Sequence, residues 1–465
     1  MSRRGPTPAP SSTILLLQLV LLGALVGLAC WPLNRLDQLQ DRLLALLPGF
    51  RDGGWTTPGL LLAAAPLGVM PLLLTLQRGW LRAGAGSGIP QILLSLEHPE
   101  HANRLLGPAA TAGRLLLWSL ASVALFPLGR EGPVVQVGAA LAHGLRRRFP
   151  RLLPALTGRQ LMAIGAGAGL AGGFNSPLMG LIFVIEELTG RFQRALVWPG
   201  ALVCLGAALV SNLGGIGLFP LGLASERVAE PLQLFWALPL GVGGGALGGL
   251  FARLLVGGTA WLKPRLARRP GAWGVGLGAG LSALLLLSGG WSGGDGEALM
   301  RHMLDGAPPQ PMPGSPLGVI GWLLVLAARI LAPVLALAAG VPGGLIDPAF
   351  SLGAVFGSGL LDLLDSSSTL GLALGMAAGL AGATQLPLTT VIFAMRLMGD
   401  GQWLWGLLLS AVLGAYVGRR LQPKSIYHTL YHTLAEDLAL AEDSGADSWL
   451  TADSGSGADG DDCPR

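Results

Sequence analysis

The feature that most restricts this chain is a charged, helix-breaking run set inside apolar sequence: Gly129, Arg130, Glu131, Gly132 and Pro133. Residues 107–128 before it carry no charge except Arg114, and residues 134–141 after it carry none. A charged pair in hydrocarbon is costly unless it lines a cavity or meets partners. Glycine and proline also interrupt a helix here, and irregular backbone at membrane depth survives only where protein or water surrounds it. Broken helices bearing such groups near the bilayer midplane are how ion-coupled transporters build their sites. Glu131 is therefore the residue that has to be explained.

That reading requires a membrane, and the composition agrees. Only 12% of the 465 residues are charged, with a mean hydropathy of +0.59, against about 25% charged residues in soluble domains. The 73 glycines are roughly twice the usual share, which implies a closely packed helical bundle in lipid. A net charge of +4 without a basic stripe on a soluble face argues against nucleic acid as a partner. Cys30, Cys204 and Cys463 have no CxxC spacing, so neither a disulfide framework nor a metal knuckle is expected. Cys30 ends a long apolar stretch over residues 13–31, read as an ordinary first membrane helix rather than a lipoprotein leader.

Further apolar segments run at about 57–76, 107–128, 133–145, 160–189, 195–223, 231–257, 272–290, 317–340, 343–361, 368–399 and 402–418. Many depart from the ~20 residues of a simple span, and glycine and proline interrupt several. Tilted, broken and re-entrant helices are expected rather than a uniform bundle. The two halves also repeat. Residues 165–189 (GAGAGLAGGFNSPLMGLIFVIEELT) match residues 375–399 (GMAAGLAGATQLPLTTVIFAMRLMG) at a shift of 210. Upstream, PVVQVGA at 133–139 matches PAFSLGA at 348–354 at a shift of 215. Two matches in the same order at nearly one shift point to an internal repeat, with a substrate site where its broken segments meet.

Two more motifs accompany the first. Gly86, Ser87, Gly88, Ile89 and Pro90 precede one apolar stretch, and Gly343, Gly344, Leu345, Ile346, Asp347 and Pro348 precede another. Proline is favoured at the first helical position, so helices are expected to start inside the membrane near Pro90, Pro133 and Pro348. Each start leaves unpaired N–H groups and a positive dipole end. Converging starts hold an anion without a full positive charge, and transport needs such weak binding. The motifs alone predict an anion pathway.

The chain resembles the CLC family of chloride channels and chloride/proton antiporters. The family signatures GSGIP and GREGP stand intact at 86–90 and 129–133, and GxFxP appears at 344–348 with Ile346 in place of the usual Phe. The stretch from Gly173 to Glu187 is also similar, and the resemblance spans about residues 10–435. It implies an all-α polytopic membrane protein with a CLC-type inverted repeat, about 10–223 and 231–435, assembled as a homodimer with one pathway per subunit. It identifies Ser87 and Tyr427 as anion-coordinating hydroxyls. The amides of Leu345 and Ile346 would complete the site, with Gly88, Arg130 and Gly132 beside them. Glu131 matches the gating and external proton glutamate, and Glu187 the internal proton-transfer glutamate of antiporters. Glu186 is the neighbour of Glu187, but adjacent helical residues point about 100° apart, and the resemblance favours the second.

Each role has a plainer counterpart: a helix N-cap for Ser87, an ion pair with Arg130 for Glu131, a peripheral carboxylate for Glu187. Tyr427 competes with Tyr431, because Tyr-His-Thr-Leu occurs twice in succession. His428 and His432 have a metal-ligand spacing but no acidic or cysteine partner placed with them, and no metal or cofactor is expected. Arg146, Arg147 and Arg148 read as a positive-inside anchor. Nine acidic residues after position 435, with Arg465 the only base, read as a cytoplasmic acidic tail over 436–465, helical at its start and disordered beyond. The expected activity is exchange of chloride for protons, in the inner membrane of a prokaryote. The first rival is a passive chloride channel, which Glu187 argues against. Fluoride-selective relatives usually depart from GSGIP and GREGP, and nitrate-preferring ones carry Pro at the position of Ser87. A membrane enzyme using Glu131 and Glu187 as acid and base would need a nucleophile or metal ligand beside them, and no such motif is present.

Overall fold

The computed structural model describes residues 12–51, 53–151, 153–213, 228–305, 318–399 and 401–443. The first half contains α1 (Ser12–Leu44), α2 (Thr57–Leu76), α3 (Ile89–Glu97), α4 (Ala102–Leu105), α5 (Pro108–Val123), α6 (Glu131–Arg148), α7 (Gly158–Phe174), α8 (Pro177–Phe183) and α9 (Arg194–Ser211). A π turn, Val184–Leu188, continues α8. The second half contains α10 (Glu230–Arg268), α11 (Pro270–Leu287), α12 (Glu297–Leu304), α13 (Gly318–Ala338), α14 (Ile346–Leu363), α15 (Ser368–Thr384), α16 (Pro387–Met398), α17 (Leu404–Leu421) and α18 (Ile426–Asp443). Among the described residues, eight helices are long and apolar enough to cross a membrane. Their outer faces expose Leu61, Trp198, Leu209 and Ile320, a surface that suits lipid and would aggregate in water. The protein is an all-helical, multi-pass membrane protein.

The two long apolar segments of the repeat each break in the same manner. Residues 160–189 become α7 and α8 around Asn175, and residues 368–399 become α15 and α16 around Gln385. Both break residues are left-handed, with φ of 46° and 63°, and a proline starts each following helix. A left-handed cap followed by proline is a strong helix stop. The glycine positions match too. A Cβ on Gly138 of α6 would strike the Gly165 carbonyl and lie 2.8 Å from the Gly169 nitrogen of α7. One on Gly353 of α14 would strike the Gly375 carbonyl and lie 3.0 Å from Gly379 Cα of α15. Backbone-to-backbone contact of this kind is what small residues supply where lipid offers no hydrophobic drive.

Helices α3, α6 and α14 start in the buried interior, with buried first turns. Pro90 is the second residue of α3, but Pro133 and Pro348 are the third residues of α6 and α14. The latter two helices thus start two residues earlier than the prolines suggest. The first four amides of a helix have no intrahelical partner, so proline is tolerated anywhere in that turn. This shift makes Glu131 and Ile346 helical first residues. Cys30 lies buried within α1, its thiol 3.6 Å from the Gly169 carbonyl, as an interior residue of a long helix. The C-terminal acidic segment is described only to Asp443, the end of α18. The rest of it, with Cys463, lies outside the described residues, as does the end of the 195–223 segment.

Candidate functional site

Glu131 is fully buried, and its carboxylate crosses to the other half of the molecule. Oε1 accepts from the Asp347 amide at 2.6 Å, in the first turn of α14. Free amides and the dipole of a helix start both favour a carboxylate there. The loops before α6 and α14 are joined to each other: Gly129 N–H donates to the Gly344 carbonyl (3.0 Å), and Gly344 N–H donates to the Gly129 carbonyl (2.8 Å). Trp118 Nε1 donates to the same Gly129 carbonyl at 3.1 Å. Glycine on both sides leaves room for the carboxylate where it lies. A Cβ on Gly129 would lie 2.5 Å from Glu131 Oε1, and one on Gly344 would overlap Oε2.

The loop before α3 is held by a buried charge. Arg114 is buried on α5 and donates to the Gly86 and Ala85 carbonyls, both at 3.1 Å. Gln91 accepts from Gly88 N–H at 2.9 Å, and Gly86 N–H donates to the Gly340 carbonyl at 2.9 Å. The turn takes φ of +83° at Gly86 and +111° at Gly88, values that glycine adopts freely. Gly88 is the N-cap of α3, so Ser87 lies one residue outside it. The Ser87 hydroxyl is buried with no hydrogen-bond partner among the described residues; it caps nothing. It faces α6, where a Cβ on Gly132 would lie 3.2 Å from Ser87 Oγ. Gly132 therefore lets the starts of α3 and α6 meet.

Tyr427, the second residue of α18, is fully buried, and its hydroxyl also has no partner among the described residues. Glu131, Glu187 and Asp347 lie within electrostatic reach of it. Tyr431, one turn later, differs: its hydroxyl donates to Glu97. Of the two repeated tyrosines, Tyr427 alone keeps an unengaged hydroxyl. Leu345 and Ile346 are buried as the N-cap and first residue of α14. Ser87 and Leu345 line a cavity of about 340 Å³. Thr259 and Lys263 of α10 and Leu434 and Asp437 of α18 also line it, with an exposed ion pair between Lys263 and Asp437 on its wall.

Arg130 departs from expectation. Its guanidinium bonds Asp37 of α1, lies 3.7 Å from Glu297 of α12, and stacks 4.9 Å from the Phe174 ring. The Arg130 side chain is thus engaged by carboxylates, which corrects its assignment to the anion. The same geometry removes the simple Glu131–Arg130 pair, since the two side chains leave the helix start in different directions. Sequence reasoning missed this acidic group. Asp37, Asp295 and Glu297 bring their oxygens within 4.8 Å of one another, and Arg301 bonds both Asp41 and Glu297. The oxygens could ligate a cation, but two guanidinium groups already face them. A buried Arg130 demands carboxylate partners, which was the available signal.

Glu186 and Glu187 separate as their helical spacing predicts. Glu186 accepts from the Leu388 and Thr389 amides at 3.0 and 2.7 Å, and from the Thr389 hydroxyl at 2.7 Å. It caps the start of α16. Glu187 is buried on the π turn, and His428 Nδ1 stands 3.4 Å from its Oε1. A π turn inserts one residue and re-aims a side chain, often at a functional site.

Comparison with known proteins agrees with this architecture. A family model described as voltage gated chloride channel matches residues 68–419. The H(+)/Cl(-) exchange transporter ClcA of Yersinia pseudotuberculosis is 28% identical, over 93% of this chain and 90% of that protein. ClcA of Cronobacter sakazakii is 29% identical, over 77% and 75%. Among solved structures, a slow cyanobacterial Cl-/H+ antiporter aligns with a TM-score of 0.72 at 22% identity, over 92% of this chain and 99% of that one. A CLC-type fluoride/proton antiporter aligns with a TM-score of 0.68 at 24% identity, over 90% and 97%. With three helix starts and two orphan hydroxyls gathered around one carboxylate, and a family model covering most of its length, this chain belongs to the voltage-gated chloride channel (CLC) family, a membrane transporter and not an enzyme.

Proposed function

We propose that this protein exchanges chloride for protons across a prokaryotic inner membrane, as a homodimer with one pathway in each subunit. The observation that carries the reading is the Glu131 carboxylate seated on the first turn of α14, in the neighbourhood of the Ser87 and Tyr427 hydroxyls. Two buried hydroxyls without acceptors call for an acceptor, and each donates one hydrogen bond without trapping an ion. Glu131 supplies its own anion to the place where chloride binds. Protonation removes that charge and frees the place, which links the two occupancies through one group. The amides of Leu345 and Ile346 complete the anion's shell, and Gly88 and Gly132 give it room.

Glu187 carries the proton on the other side of Glu131. It lies off the cavity lined by Ser87 and Leu345, so ion and proton leave by different routes. This separation supports antiport over a passive channel. The two halves act as inverted repeats about the Gly129–Gly344 pairing, which joins equivalent residues. The basic end of α6, Arg146 to Arg148, marks the cytoplasmic face. The curated relatives are named for chloride, and GSGIP and GREGP stand intact, so chloride is favoured over fluoride.

Reconstitution in liposomes tests the reading. A chloride gradient imposed on purified protein should drive protons uphill, recorded with a pH electrode, and a fluoride gradient should drive them much less. Chloride flow with no proton movement would make the protein a channel. Proton movement driven by fluoride alone would change the anion.

A further inference from the structure

The first turn of α18 carries a second titratable group that the exchange mechanism leaves unused. His428 follows Tyr427 directly and faces another way. Its Nδ1 lies 3.4 Å from Glu187 Oε1 and 3.3 Å from the Ser425 hydroxyl. The Glu187 side chain is 2% exposed, whereas that of His428 is 47% exposed. One imidazole therefore spans from a sealed carboxylate to water. It does so outside the cavity lined by Ser87 and Leu345, so a proton passing this way does not meet the anion.

We propose that His428 carries protons between the aqueous phase and Glu187, an assignment that rests on the proton-coupled reading above. Imidazole has two distinct nitrogens and titrates nearer neutrality than any other side chain. As a proton enters, a hydronium ion at the aqueous side gives its proton to Nε2 and becomes water, while the Nδ1–H bond breaks and an O–H bond forms on the Glu187 carboxylate at Oε1. The ring returns to its first tautomer by exchange with water, and no charge is left behind. The surroundings suit a transfer group rather than a fixed ion pair. Glu186, the other carboxylate of the π turn, is held by the start of α16. Glu97, at the end of α3, also acts on His428 but accepts from the Tyr431 hydroxyl. Arg159 of α7 donates to the Glu97 carbonyl at 3.1 Å, which sets this group at the basic, cytoplasmic end of the molecule.

The test is chloride-driven proton uptake by full-length protein in liposomes, across a pH series, for the unmodified chain, His428→Gln and His432→Gln. His432 is exposed one turn further along α18 and serves as the control. Proton transfer by a placed side chain is worth on the order of 100-fold or more, so His428→Gln should slow coupled exchange by roughly that factor. The chloride-to-proton ratio should stay the same, the pH profile should lose its imidazole limb, and added imidazole should restore the rate. Chloride binding measured by calorimetry reports that the variant is folded. An unchanged rate and pH profile in His428→Gln would overturn the assignment. So would a slowing that imidazole leaves untouched, which is the mark of a structural role. Absence of proton movement in the unmodified protein would remove the antiport reading, and this assignment with it.

Discussion

Helices α8 and α16 occupy equivalent places in the repeat, and they differ where chemistry is needed. Both start at a proline after a left-handed cap, and both carry Ile-Phe at the same distance from that proline. At the shift of 210, Glu186 corresponds to Arg396 and Glu187 to Leu397. The first pair is reciprocal. Glu186 caps the start of α16, while Arg396 Nε donates to the Asn175 carbonyl at the end of α7, at 3.2 Å. An acid at a helix start and a base at a helix end each complement a dipole, so this pair fastens the halves together. The second pair breaks the symmetry. Leu397 is buried in regular helix, whereas Glu187 sits on a π turn beside a half-exposed histidine. The helix starts of α6 and α14 repeat the lesson. Glu131 corresponds to Ile346, and the second half places its own buried carboxylate, Asp347, one residue later. Symmetry builds the frame, and its local failure falls at the residues to which we assign ion movement.

That comparison can be broken in several places. Giving Glu187 its counterpart's side chain, Glu187→Leu, should end proton movement altogether while chloride still flows, as read by pH electrode and chloride electrode on the same vesicles. Coupled proton uptake in that variant would show that the asymmetry at 187 and 397 is incidental. Gly344→Ala places a methyl group where the Glu131 carboxylate lies. Overpacking of this kind should cost about 3 kcal/mol in thermal unfolding and should stop exchange. A stable, active Gly344→Ala protein would mean that Glu131 does not rest on the α14 start. Tyr427→Phe removes a hydrogen bond to a charged ligand, about 1.5 kcal/mol, or roughly tenfold in the chloride Kd. Tyr431→Phe should leave that Kd alone, and a reversed pattern would move the anion contact one turn along α18. The smallest effect is expected from Glu186→Ala. Loss of one helix cap should lower stability by about 1 kcal/mol with the chloride-to-proton ratio intact, and a changed ratio would draw Glu186 into the proton path.

Much of this was legible in the chain because the constraint came from lipid. Glycine, proline and charge in an apolar run have few permitted arrangements in a membrane, so the three interior helix starts and both broken segments were readable. Glu131 and Ser87 were readable for the same reason, as polar groups with no cheap alternative place. Side-chain direction was less accessible. Whether Arg130 faces the anion or Asp37 depends on a carboxylate 93 positions earlier, and no local pattern encodes that meeting. The repeated Tyr-His-Thr-Leu kept Tyr431 in competition with Tyr427, and what separates them in space is Glu97, at the end of α3, which engages Tyr431. The π turn was also hidden, because it changes the direction of Glu187 without changing composition. His428 drew notice as a metal spacing with His432, while its neighbour in space is Glu187.

The central claim is that chloride and a proton share one place through Glu131. Calorimetric titration of chloride into detergent-purified protein, repeated in buffers of different ionisation enthalpy, counts protons taken up on binding. Chloride binding should take up protons in the unmodified protein, and in Glu131→Gln it should be tighter and take up none. Proton uptake that is absent from the unmodified protein, or that persists in Glu131→Gln, would contradict the account.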